Sequence, residues 1–433
     1  MRSEKIMIQK EKVKLLSLIQ YAFLALPLGF SGFPLYILAP DFYTINYGIK
    51  LSTLGLCLLF IRIFDAFQDP LIGMISDRYR NRRFLIMLIS ACALVLSIYA
   101  LFNASFFSDL SRFLLCMTVS ITAYSVLTIN LNSVGGLWFE EEKHQLKISS
   151  LRECFSLVGL LVAVSAPHFL EKIIHKDKVY EWFVFILLGL MILGFIQFYN
   201  WQRKYYKKFH YNMTRLSLNF THFSSDLKKF LGIYLLSMFA SSIPAVLVIF
   251  FVRDLLGAEQ YTGFFLLIYF ISAAFFMPFW TYVSNKKGKY RAWFFSMLLA
   301  SFSFIWAFFL REGDIWQYVC ICLMSGLALG GDLVFPPAIV SKHIHFSKSQ
   351  KSASLYYGIL NLLSKSSLAF SSLLSFLVLD YAGFTAGAQN SSTSLIGLSI
   401  AYALIPCIIK IAAAFLLWKL LIKSRWRGSN ENS

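Results

Sequence analysis

Charge is scarce in this chain. Only 14% of its 433 residues are Asp, Glu, Lys or Arg, against about 25% in a typical soluble domain. A water-soluble surface of this size needs more charge to cover it, which argues against an ordinary soluble globule. Acidic residues are the scarcer kind, 22 against 40 Lys and Arg, for a formal net charge of +18. Cysteine is sparse too. The seven (57, 92, 116, 154, 320, 322, 407) all fall in apolar stretches, and only Cys320-x-Cys322 is closely spaced. That pattern suits small apolar packing residues rather than a zinc or redox centre. His343-x-His345 sets two imidazoles on different faces of a helix, so no metal site is expected there either. There is no paired His–Asp–Ser set and no phosphate loop. An enzyme is therefore not expected, and no cofactor is implied.

What the chain has in excess is apolar. Hydrophobic residues make up 58%, aromatics 17%, and 44 residues are Phe. This excludes intrinsic disorder. Roughly 20 apolar residues cross a bilayer, and twelve such blocks can be read: 15–40, 51–76, 84–107, 110–138, 148–170, 180–200, 228–252, 261–284, 292–310, 315–341, 352–379 and 395–422. The first is longer than the apolar core of a signal peptide and a second follows at once, so it is read as an uncleaved span. The fold class expected is an all-α polytopic membrane protein with twelve transmembrane helices.

With the N-terminus placed in the cytoplasm, and Arg112, Lys228 and Lys229 at block edges counted with their adjoining loops, the cytoplasmic segments hold 28 of the 40 Lys and Arg. The opposite loops hold seven, and five fall within blocks. This is the positive-inside pattern. It puts both termini in the cytoplasm of a cell inner or plasma membrane. Charge spread over many short loops also excludes a nucleic-acid partner.

The longest polar stretch, 201–227, separates two six-block halves. The expected domains are 1–200, a linker at 201–227, and 228–433, in two pseudo-symmetric bundles. A shift of 208 residues, from 65 to 273, aligns the sixteen residues from Asp65 with those from Ala273. Ala66 then meets Ala274, Phe67 meets Phe275, Pro70 meets Pro278 and Ser76 meets Ser284. Parallel six-helix repeats are the architecture of the major facilitator transporters. The loop from Gly73 through Asp77, Arg78, Arg80, Arg82 and Arg83 supports this, because it resembles the facilitator loop between helices 2 and 3. Gly73 permits close helix approach. Asp77 can cap a neighbouring helix or pair with Arg. Gly73, Asp77, Arg78 and Arg82 are thus expected to form a conformational latch, with a simple positive-inside anchor as the other reading.

Ionisable residues inside a span are costly and are functional candidates. Asp65 and Asp69 share a helix face, with Arg62 one turn before them. Two carboxylates this close need a cation, a proton or a basic partner. Gln68 and nearby hydroxyls can complete an oxygen site. The matching positions in the second half are Ala273 and Met277, so the scaffold does not require the acids. A structural ion pair with Arg62 or Lys365 is the alternative. Lys365, in mid-span, should face the cavity and find an acidic partner. Arg152 and Glu153 open the fifth block, where a local pair is one reading. Lys410 in the last block has no evident partner.

Together, Arg62-Ile-Phe-Asp65-Ala-Phe-Gln68-Asp69-Pro70-Leu-Ile-Gly73 resembles the second-helix motif of the glycoside–pentoside–hexuronide:cation symporters, the melibiose permease group. Phe251-Val-Arg253-Asp254-Leu-Leu-Gly257, Leu151-Arg152-Glu153, Gly330-Gly331-Asp332 with Pro336-Pro337, and Lys365 resemble other family segments. The resemblance implies that Asp65 and Asp69 bind Na+, Li+ or H+, with Gln68 and Ser125 as further ligands. It also implies that Arg152 lies near substrate and that Lys365 links the two sites. The chain departs from the sugar carriers at two places. Their carboxylates in helices one and four fall here at Gly29 and near Thr128, neither acidic. Asn130, Asn132 and Asn361 offer neutral hydrogen bonds instead.

The expected function is cation-coupled symport of a small solute, a glycoside or related sugar, by a monomer in the lipid bilayer. A carrier of lysophospholipids or other amphiphiles is the first alternative. A non-transporting sensor or scaffold is the alternative of another class.

Overall fold

The computed structural model describes residues 14–423 except 34, 36–37, 50, 104–107, 140, 176–177, 206–222, 347–351 and 386. Every regular element among them is helical. Lipid offers the backbone no hydrogen-bond partners, so a chain this apolar must satisfy its amides within helices. Twelve helices are of membrane length. They are α1 Leu15–Gly32, α2 Leu51–Arg78, α3 Arg80–Asn103, α4 Asp109–Trp138, α5 Lys143–Ile173, α6 Val179–Tyr205, α7 Ser225–Leu255, α8 Glu259–Lys287, α9 Lys289–Phe309, α10 Ile315–Phe346, α11 Ala353–Tyr381 and α12 Ser392–Ile422. Over the described residues, eleven are marked as membrane spans by length and composition. The twelfth, α2, has 28 residues, about 42 Å of helix. It carries Arg62, Asp65, Asp69, Asp77 and Arg78.

Local chemistry sets several ends. Ser224 starts α7 and Ser391 starts α12, each hydroxyl accepting an amide N–H three residues on at 3.2 Å. Several boundaries differ from the sequence expectation. The first block is interrupted at Phe23-Leu24 and followed by a separate helix, Ala39–Tyr47, with proline in its first turn. α5 begins near Lys143 rather than 148, because the polar run before Leu151 continues the helix beyond the apolar core.

The helices form two six-helix halves, the major facilitator fold. Packing repeats between them: α1 lies on α5 as α7 lies on α11, and α3 on α4 as α9 on α10. The halves meet along α2–α11 and α5–α8. These pairs are equivalent when the halves are exchanged. Tyr21, Trp138 and Trp201 sit in the core of the first half, and Trp280, Trp293 and Phe335 in that of the second. Ala273 and Met277 are fully buried in that second core. Phe67, Phe275, Phe302 and Phe370 are exposed on the outside, as lipid contact allows. Of the stretch 201–227, α6 runs on to Tyr205 and α7 begins at Ser225. The expected linker between them otherwise lies outside the described residues.

Candidate functional site

The acids of α2 meet a lysine from the other half. Asp65 and Asp69 stand one turn apart and are buried, at 3% and 0% exposure. Lys365 on α11 reaches both: its Nζ lies 2.6 Å from Asp65 Oδ1 and 2.7 Å from Asp69 Oδ2. The same ammonium donates to Ser125 Oγ on α4 at 2.8 Å. Ser125 donates to Asp65 Oδ1 at 3.0 Å, and Gln68 Nε2 does so at 3.0 Å. Thr122 Oγ1 in turn donates to Gln68 Oε1 at 2.9 Å. Pro70 has no N–H, so the Ala66 carbonyl lacks its usual intrahelical donor. The result is a ring of oxygens from α2 and α4 with one ammonium at its centre. Lys365 keeps 22% of its side chain exposed.

About 18 Å from Asp65 along α2, Asp77 caps another helix. Its Oδ1 accepts the Ser354 N–H at 3.0 Å and its Oδ2 the Leu355 N–H at 2.9 Å. Both amides belong to the first turn of α11, where the helix dipole favours an anion. Arg83 completes the arrangement, reaching Asp77 Oδ1 at 3.3 Å and Ser354 Oγ at 2.8 Å. Arg78 and Arg82 are exposed instead, with Arg78 over the Tyr79 ring. Arg83, the last arginine of the basic loop, enters this contact. Sequence reasoning listed Arg83 in the loop but did not select it. A signal was present: Arg83 is where the 3-10 turn Arg80–Arg82 gives way to the α-helical part of α3, and a side chain there points back toward the preceding turn.

Gly73 and Gly358 let α2 and α11 touch here. A Cβ at Gly73 would lie 2.6 Å from Ser354 O, and one at Gly358 2.5 Å from Asp69 O. Further bonds join the halves at the same basic end. Ser341 and His345 of α10 both bond the Gly136 carbonyl of α4, at 2.6 and 2.8 Å. Lys289 of α9 donates to Gln145 of α5 at 2.8 Å.

Arg152 and Glu153 do not open α5; they lie nine and ten residues into it. They pair with each other, and Arg152 is buried. Asn132 and Asn361 are half-buried, and neither side chain makes a hydrogen bond among the described residues. Arg62 is half-buried one turn from Asp65. Asn130 is committed to Ser76 Oγ at 2.9 Å. Gly29 packs against backbone: a Cβ there would lie 1.9 Å from Ser156 O of α5. A carboxylate at that position cannot reach a cavity in this packing.

One buried pair was missed in the sequence. Lys410 of α12 pairs with Asp332 of α10 and donates to Ser237 Oγ at 2.9 Å and Ser241 Oγ at 2.7 Å. Trp293 Nε1 donates to Asp332 Oδ1 at 3.0 Å. All five residues belong to the second half.

The family described as MFS/sugar transport protein matches residues 19–424. The chain belongs to that family. It is a major facilitator transporter, an integral multi-pass membrane protein and not an enzyme. The uncharacterized symporter YnaJ of Bacillus subtilis (strain 168) is 23% identical over 395 residues, covering 86% of this chain and 84% of that protein. A bacterial homologue of the iron transporter ferroportin, in an outward-facing state, superposes with a TM-score of 0.68 at 14% identity, covering 92% of this chain and 99% of the other. The human organic anion transporter MFSD10 superposes with a TM-score of 0.65 at 13% identity, covering 93% and 99%. At these identities the two structures establish the fold.

Proposed function

We propose that this major facilitator protein is a cation-coupled symporter of a small polar solute, and that Asp65, Asp69, Gln68 and Ser125 hold the coupling ion. The observation that carries this reading is the position of Lys365. Its ammonium occupies an oxygen ring of the kind that binds Na+, Li+ or a proton, and it comes from the opposite half. Any rocking of the halves must break this pair. A cation that takes the carboxylates makes the break easier, because the acids are then not left as bare charges in low dielectric.

The positive-inside pattern assigns the basic end to the cytoplasm. The α2–α11 and α4–α10 contacts then close the cytoplasmic side, and the state described is outward-facing. Gly73, Asp77 and Arg83 latch it. The units that rock are the halves at 1–200 and 228–433. Arg152, Asn132 and Asn361 are the candidates for solute contact. The packing of Gly29 argues against a sugar site built on a helix-one carboxylate.

The test is thermal unfolding of the purified protein against Na+, Li+ and pH, beside Asp65→Asn. A ligand that binds only the folded state raises its stability by mass action. The expected result is a saturable Na+ shift that Asp65→Asn abolishes. A pH response lost in the variant would instead make the proton the coupling ion. If wild type and variant respond alike to every condition, the acids are a structural pair and the coupling proposal fails.

A further inference from the structure

One stripe of α5 faces the second half. Positions 146, 150, 153, 157 and 160 fall on the same side of the helix. Leu146 and Leu157 are buried in the core of the second half, and Leu160 packs against it. Ser150 accepts a hydrogen bond from Thr281 Oγ1 of α8 at 3.2 Å. Glu153 is the one charge in the stripe. Among the described residues, no group of the second half bonds it.

Glu153 is held from its own side instead. Arg152 donates to it from Nε at 3.2 Å and again from Nη2, and both bonds end on the same oxygen, Oε1. Oε2 accepts no hydrogen bond among the described residues, and it is not a buried atom. The Glu153 side chain keeps 21% of its surface exposed, against 5% for Arg152. Its charge neighbours include phenols from both halves, Tyr124 of α4 and Tyr234 of α7. Tyr124 also neighbours Asp65 and Asp69. The open oxygen therefore lies in the seam between the halves, beside the acids of α2 but not among them.

A carboxylate oxygen is a strong acceptor, and leaving it unfilled when a cavity closes over it costs free energy. No protein group fills it here, so the donor has to arrive with the solute. Arg152 decides what kind of donor fits. Its guanidinium already cancels the charge of Glu153. A bound ammonium would leave the group net positive in low dielectric, whereas a hydroxyl leaves it neutral.

We infer that Glu153 is a specificity-determining residue of the carrier, and that its free oxygen accepts hydrogen bonds from the hydroxyls of an uncharged solute. Arg152 positions that oxygen by holding the other one. The inference rests on the solute transport proposed above and not on the cation site.

The experiment is titration calorimetry on the full-length protein in detergent, with Na+ present throughout. The probes are mannitol, myo-inositol and methyl α-glucoside, each beside its fully O-methylated form, which keeps the oxygen acceptors and has no donor. Wild type should bind at least one parent compound about tenfold or more tightly than its methylated form. Glu153→Gln should lose most of that preference, because its amide NH2 donates to ether oxygens. Glu153→Asp should keep the direction of the preference. Where Glu153→Gln strands Arg152 and does not fold, the double variant Arg152→Gln/Glu153→Gln removes both charges and should lose the preference likewise. Failure of all three parents to bind wild type overturns the inference. So does a preference that survives in a folded Gln variant, which would mean that size alone excludes the methylated probes. Loss of every Na+ response with the preference intact would defeat the cation site and leave Glu153 in its role.

Discussion

Lys365 Nζ and Asp65 Oδ1 are 2.6 Å apart, and they belong to opposite halves of the molecule. Three hundred residues separate them in the chain. By contrast, Lys410 and Asp332 meet inside the second half. In an alternating-access carrier, a pair across the halves must break in every cycle, while a pair within a half need never open. The first is suited to a switch and the second to holding helices together.

The second pair gives a stability prediction. Asp332→Asn strands the buried Lys410 ammonium, and breaking such a pair costs about 3–5 kcal/mol. Lys410→Met strands the carboxylate in the same way. The double variant Asp332→Leu/Lys410→Met removes both charges and should melt close to wild type. Thermal melts in detergent decide this. Equal destabilisation in the double variant would mean that the hydrogen bonds of Ser237, Ser241 and Trp293 matter more than the charges.

The latch gives a conformational prediction. Asp77→Asn keeps one acceptor oxygen and turns an NH2 group toward a helix N-terminus. Losing one such buried bond costs about 1–3 kcal/mol. The closed cytoplasmic side should open more often, by roughly 5- to 150-fold at that cost. Thiol labelling of Tyr357→Cys from the cytoplasmic side, with the native cysteines replaced, reports the change. Unaltered labelling would show that Asp77 does not hold this state.

Helix contact at Gly358 is expected to be as sensitive. Gly358→Ala puts a methyl 2.5 Å from Asp69 O, and backbone cannot move aside as a flexible side chain does. α2 and α11 must separate beside the acidic pair. Both the melting temperature and any Na+ shift should fall. A variant that keeps both would mean that the helices slide past each other without cost.

Gly29→Asp tests whether a sugar carboxylate can be restored. Its Cβ would fall 1.9 Å from Ser156 O. The expected result is a protein that fails to elute as a single species from size exclusion, rather than one with new sugar affinity. A well-folded Gly29→Asp would show that α1 and α5 can part at this crossing.

Much of the site was legible because it lies on one helix. Asp65, Gln68 and Asp69 follow from helical spacing, and a mid-span lysine had to face inward. What the spacing left open was the lysine's partner. The arginine of the basic loop that would turn inward was also open, and so was any partner for Lys410. Gly29 looked like a lost ligand position. It is a packing position, which only the neighbouring helix reveals.

The sequence by itself determined the number of spans and the repeat of six. Its reason is local: a bilayer forces each apolar run of about 20 residues into one helix. The tertiary structure alone decided which charges meet. Lys365 joins Asp65 and Asp69, Arg83 joins Asp77, and Lys410 joins Asp332, because helix crossings set these distances. Those crossings depend on small residues such as Gly73 and Gly358 on facing helices, far apart in the chain.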